Sequence, residues 1–113
     1  MITYNGAVFF VDIIGFSALT KGQVAGITKN DYEAWDVDSE AEHPHSYLAA
    51  TMLVEFRDAL LTLKKHLPSL HIAQISDCAF IWSENVKELL IGVHEFMWNA
   101  IGNKGILCRG GLA

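Results

Sequence analysis

Asp12 stands near the end of an apolar run rich in Val and Phe, and residues 7–17 read AVFFVDIIGFS. Such a run predicts a buried strand, and a buried strand does not carry a carboxylate without a partner, because a desolvated charge is costly. Gly15 and Ser17 follow at once. The chain is therefore expected to leave the strand through a tight turn and begin a helix whose free N–H groups lie near the carboxylate. A cation held by Asp12 and an anion held by the amides of Ile14, Gly15, Phe16 and Ser17 together describe metal–phosphate chemistry. Taken alone, an aspartate at a strand end is more often a cap than a ligand.

Composition narrows what such a site can serve. With 113 residues, 51% of them hydrophobic, the chain has apolar matter for a single core and for one soluble domain. No apolar run approaches the roughly 20 residues of a membrane span. Residues 1–6 carry no basic cluster, so no secretory signal is expected. The net charge of −5 argues against nucleic acid as a partner, and triphosphate binding would have to rest on metal, amides and a few placed cations. Cys78 and Cys108 lie in apolar surroundings outside any metal-binding spacing, which suits buried thiols in a reducing cytoplasm.

The elements that must position Asp12 can be read from periodicity. A strand is expected from about Gly6 to Ile13, then a short helix from Phe16 that Gly22 and Gly26 break. Asp31, Glu33, Asp36, Asp38, Glu40 and Glu42 fall in a stretch without Lys or Arg, so residues 24–46 read as a solvated acidic insertion. His43 and His45, with no third ligand, do not suggest a specific metal site. Leu48, Met52, Phe56, Leu60 and Leu63 recur at helical spacing and predict a helix over 46–66, ended by Pro68. Residues 70–75 and 78–82 are short apolar runs separated by Ser76 and Asp77, the pattern of a tight hairpin. Ser83 or Asn85 should cap a third helix with an apolar face from Val86 to Ile101, stopped by Gly102 and Gly105, and a last strand should start near Ile106. The predicted order β-α-α-β-β-α-β is that of an α+β plait, an antiparallel sheet with helices on one face.

Three segments, in order, resemble the class III nucleotidyl cyclases, the adenylate and guanylate cyclase family. Residues 7–17 are similar to its opening strand and turn, residues 74–81 (QISDCAFI) to its second metal segment, and residues 107–113 (LCRGGLA) to the strand that follows. The resemblance implies a ferredoxin-like core. It implies that Asp12 and Asp77 share two Mg²⁺ or Mn²⁺ ions, with the backbone carbonyl of Ile13 completing the shell. Hard oxygen ligands suit those ions and leave positions for substrate phosphate. It further implies that Arg109 contacts the triphosphate and that a homodimer builds the site at its interface. The expected reaction is attack of a ribose 3′-hydroxyl on the α-phosphate of a nucleoside triphosphate, giving a 3′,5′-cyclic nucleotide and pyrophosphate.

Base choice departs from the adenine-specific pattern. Those members carry a Lys four residues before the second metal Asp, where this chain has Ala73. Phe10 lies two residues before Asp12 and should share its face, and with Ala73 and Ile75 it would line a base pocket narrowed toward pyrimidines. With the long acidic insertion, these features look more like the pyrimidine cyclases of bacterial anti-phage defence. Family members continue through strands bearing a base-selecting residue and a transition-state Asn and Arg, so residues 1–113 read as a partial domain. Two other readings stand beside this one: a cyclase-like module that binds nucleotide or dimerises without catalysis, and another palm-like nucleotidyl transferase with a linear or dinucleotide product.

Overall fold

The computed structural model describes residues 5–113. Its elements are β1 (Ala7–Ile13), α1 (Phe16–Thr20), α2 (Lys29–Ala34), α3 (Pro44–His66), β2 (His71–Ile75), β3 (Cys78–Ser83), α4 (Val86–Met97), a π-helical turn (Trp98–Asn103) and β4 (Cys108–Leu112). The described residues divide into two compact units, one of residues 5–14 and 55–113, the other of residues 15–54.

The first unit holds a four-stranded sheet in the order β2-β3-β1-β4, and each neighbouring pair is antiparallel. Alternation along the strands separates its faces. Phe9, Val11 and Ile13 of β1 are buried together with Ala79, Ile81 and Ser83 of β3. Their neighbours Val8, Phe10 and Asp12 fall on the opposite, more open face, in register with Trp82, Phe80 and Cys78. α4 packs against β1 and β3, and Leu89 and Phe96 close the core with Leu70, Ile106 and Phe56 from the middle of α3. Asn85, rather than Ser83, caps α4 by accepting from the Glu88 amide at 3.1 Å, while the Ser83 hydroxyl accepts from the Asn85 amide. Lys64 Nζ donates to the Pro68 and Leu70 carbonyls at 2.6 Å each, satisfying backbone just past the end of α3.

Gly110 is fixed by close approach. A Cβ there would meet the Phe10 carbonyl oxygen and stand 2.5 Å from the Phe9 ring. Gly110→Ala is therefore expected to cost about 1–3 kcal/mol in urea unfolding, since a strand backbone on one side and a buried ring on the other cannot both yield. Gly111, with open space around its Cβ position, should accept alanine far more easily.

Lys104 closes the turn after α4. Its ammonium reaches Glu55 Oε2 at 2.6 Å and Asp58 Oδ2 at 2.7 Å on α3, and its side chain is only 15% exposed. These two partners, Asp58 first, raise the lysine above its ordinary value. A raised pKa means the contribution is present below the unfolded lysine's pKa and lost as pH climbs through the higher folded one. Lys104→Met should cost about 1–2 kcal/mol near neutrality, allowing for the solvent around Asp58. The gap to the native chain should close above about pH 10.5 in thermal melts across pH.

In the second unit, the acidic stretch is not loop throughout. Thr28 and Asp31 form a reciprocal capping box at the start of α2, the Thr28 amide donating to Asp31 Oδ2 at 2.8 Å. Asp31 in the first turn also suits the helix dipole. α3 begins at Pro44, two residues earlier than the apolar periodicity indicates, because proline's fixed φ suits a first helical turn. At the other end of the chain, β4 starts at Cys108 rather than near Ile106, whose amide is committed to the Ala100 carbonyl at 2.8 Å. None of the described helices is long and apolar enough to cross a membrane.

Candidate active site

Asp12 and Asp77 are 65 positions apart in the chain, and strand pairing brings them to one end of the sheet. β1 and β3 run antiparallel with Asp12 opposite Cys78, and the Ile13 amide donates to the Asp77 carbonyl at 3.0 Å. Asp77 therefore sits in the two-residue turn immediately beyond the residue that faces Asp12. The turn is tight enough to hold Ser76 at φ +55°, a left-handed conformation that costs a non-glycine residue about 1 kcal/mol. The Cys78 thiol registers both carboxylates. Desolvation raises its pKa most, and the charges of Asp77 and then Asp12 add to it.

The Asp12 side chain is 20% exposed, and Arg109 Nε donates to its Oδ1 at 3.0 Å across the β1–β4 pair. Arg109 itself is 74% exposed and held through Nε alone among the described residues. The Asp77 carboxylate makes no hydrogen bond or ion pair among the described residues. Two hard oxygen donors, one unpartnered and one paired only with a solvent-exposed guanidinium, fit the requirements of Mg²⁺ or Mn²⁺. Among the described residues no group of three or more His, Cys, Asp or Glu could hold a metal ion, so the carboxylates would need further oxygen ligands from backbone, water or substrate.

The expected phosphate cradle divides. The Ile14 amide is engaged by the Leu107 carbonyl at 2.9 Å and is not a free donor, since β4 extends its pairing with the end of β1. Gly15 caps α1 with φ +74° and no side-chain cap, a conformation that glycine adopts without steric cost. Phe16 and Ser17 open that helix, where first-turn amides lack intrahelical acceptors.

The expected base-pocket residues share Asp12's face. Phe10 is 39% exposed and packs on Phe80 with ring centroids 5.4 Å apart. Ala73 is opposite Phe80 and Ile75 is opposite Cys78 on the neighbouring strands. Sequence reasoning missed Phe80, and also Trp82, which stacks on His71 at 5.4 Å. Their signal was available: a two-residue turn at Ser76–Asp77 sets Ile75 opposite Cys78, and counting by twos from Cys78 puts Phe80 and Trp82 on the same face. Burial raises the Cys108 thiol to about 11, with Asp12 adding to it, which agrees with an unreactive cysteine. His43 and His45 meet edge to face at 5.8 Å, and His45 packs over Gly22.

A scan of the chain against protein-family models finds no match, and neither does a comparison with curated protein sequences.

Proposed function

We propose that the chain carries the metal-bearing part of a nucleotidyl cyclase site on a ferredoxin-like plait. The observation that supports this most is the backbone proximity of Asp12, on the open face at the end of β1, to Asp77 in the β2–β3 turn. The antiparallel order β2-β3-β1-β4 agrees with the plait. Bound divalent ions would supply activation of the ribose 3′-hydroxyl and charge neutralisation on the α-phosphate and leaving pyrophosphate. Asp12 and Asp77 would hold the ions. Arg109 bonds through Nε and keeps its remaining guanidinium N–H groups for a triphosphate oxygen, a planar fork suited to that contact. Phe10 and Ala73 shape the base wall, and a second copy of the chain completes the site as a homodimer. The unreactive thiols suit a cytoplasmic protein, and the product would act as a cyclic nucleotide signal in antiviral defence.

The test is product analysis with ATP, GTP, CTP and UTP in Mn²⁺, using the protein that contains this chain. Cyclic UMP or cyclic CMP should form, preferred over cyclic AMP by roughly tenfold or more, because bulk at Phe10 excludes purines and no lysine stands at Ala73. Phe10→Ala should relax that preference toward purines. A clear preference for ATP would sink the pyrimidine assignment, a linear or dinucleotide product would point to a transferase, and nucleotide binding without turnover would leave a regulatory module.

A further inference from the structure

The π-helical turn Trp98–Asn103 builds a second concave surface, with α3 forming the opposite wall. π-turns are disfavoured locally and recur at functional sites. Here the turn carries Trp98, 69% exposed, over Gly102, whose Cβ position lies 3.8 Å from the indole ring. At that separation a Cβ would make ordinary van der Waals contact with the ring, so the turn backs one face of the indole and leaves much of it open to solvent. The groove beside it has a volume of about 380 Å³, within the usual range of small-molecule sites, with Leu63 and Phe96 contributing apolar lining. Lys104, at the end of the π-turn, is bonded to Glu55 and Asp58 of α3, so the two walls are held in a fixed relation before any ligand arrives.

The polar groups on the groove define what it would recognise. Asn103 Nδ2 donates to Asn99 Oδ1 at 3.2 Å, which leaves an unused donor on one carboxamide and an unused acceptor on the other. Adjacent donor and acceptor groups match the hydrogen-bonding edge of a nucleobase. The remaining ionisable lining residues are His66, His94 and Glu95, with His66 Nδ1 4.0 Å from Glu95 Oε2, and no Lys or Arg lines the groove. A phosphate would find no lysine or arginine and one carboxylate.

We infer that this groove binds a planar, uncharged heteroaromatic ligand of nucleobase or nucleoside size, stacked on Trp98 and read by Asn99 and Asn103. The site is independent of the Asp12–Asp77 pair. Adenosine and uridine are the probes, titrated into the chain while the three indole Nε1–H signals, of Trp35, Trp82 and Trp98, are followed by NMR. The Trp98 signal should move and saturate with at least one probe, and Trp35 should not move. Trp98→Ala should weaken binding roughly 5- to 150-fold, the range that loss of one base-stacking ring produces, whereas Trp98→Phe should retain part of it. The exposed position of Trp98 allows both variants to fold. The matching 5′-monophosphate should bind no more tightly than its nucleoside. Asp12→Asn should leave the titration unchanged, which separates this site from the proposed cyclase site. An unmoved Trp98 signal up to millimolar probe, or equal affinity in Trp98→Ala, would overturn the inference, as would tighter binding of the monophosphate.

Discussion

If the proposed cyclase site is correct, Asp12→Asn and Asp77→Asn are each expected to lower turnover by on the order of a thousandfold or more, exceeding the 10- to 100-fold typical of losing a partner behind a metal ligand. Both variants should fold. Among the described residues the Asp12 side chain bonds only to Arg109, whose side chain is 74% exposed, and an exposed ion pair contributes under about 1 kcal/mol. Asparagine keeps the shape and one oxygen but loses the charge that competes for a divalent ion. Melting temperatures should therefore stay within a few degrees of the native chain, and could rise, because carboxylates gathered for catalysis are held at some expense to stability. Mn²⁺ binding followed by electron paramagnetic resonance supplies a readout that does not depend on turnover. Each single variant should weaken it. Retained turnover in either variant would refute the metal assignment, and activity lost together with the cooperative melt would assign the aspartates a structural role.

How far that site could be read in advance depended on which contacts are local. Phe10 and Asp12 share a face because they are two residues apart on one strand, and Asp77 lies in a turn because two apolar runs flank it. Both are properties of short stretches. The Arg109–Asp12 bond joins residues 97 positions apart and exists only because β4 pairs with β1 in one particular register. The engagement of the Ile14 amide by Leu107 has the same origin. Neither could be derived without the pairing of those strands, and each changes the chemistry assigned to a residue.

The fold was legible to a similar extent and for similar reasons. The α3 and α4 periodicities and the Ser76–Asp77 hairpin each repeat one physical rule over many residues. α2 was written locally too, as a threonine followed three residues later by an acid, but the acid-rich composition around it favoured a solvated loop. The π-turn after Met97 carries no comparable signature. It depends on Lys104 meeting α3 and on Ile106 bonding to Ala100, both set by tertiary packing.

Phe56→Ala is expected to give the largest loss of stability. Phe56 is fully buried, and its ring meets Phe96 of α4 edge to face with centroids 5.7 Å apart. It joins the middle of α3 to the helix lying on the sheet. Truncation removes buried apolar surface and leaves a cavity that two helices and a sheet cannot readily fill, a change that costs about 3–5 kcal/mol. A further part of the aromatic pair, about 0.5–1.5 kcal/mol, is specific to the edge-to-face contact. Small domains are stable by only about 5–15 kcal/mol, so the variant should melt roughly 15–30 °C lower. Phe56→Leu keeps most of the volume and should recover more than half of the loss. Leu61→Ala, on the same helix but 57% exposed, is the matched control and should change stability by about 0.5 kcal/mol or less. If Phe56→Ala and Leu61→Ala melted alike, α3 would not be packed through Phe56. If the proposed site is correct, the cost should also pass to Asp12 and Asp77, because the sheet that aligns them is supported from its buried face by α4. Mn²⁺ should then raise the melting temperature of Phe56→Ala, and the same ion should not raise that of Phe56→Ala combined with Asp77→Asn.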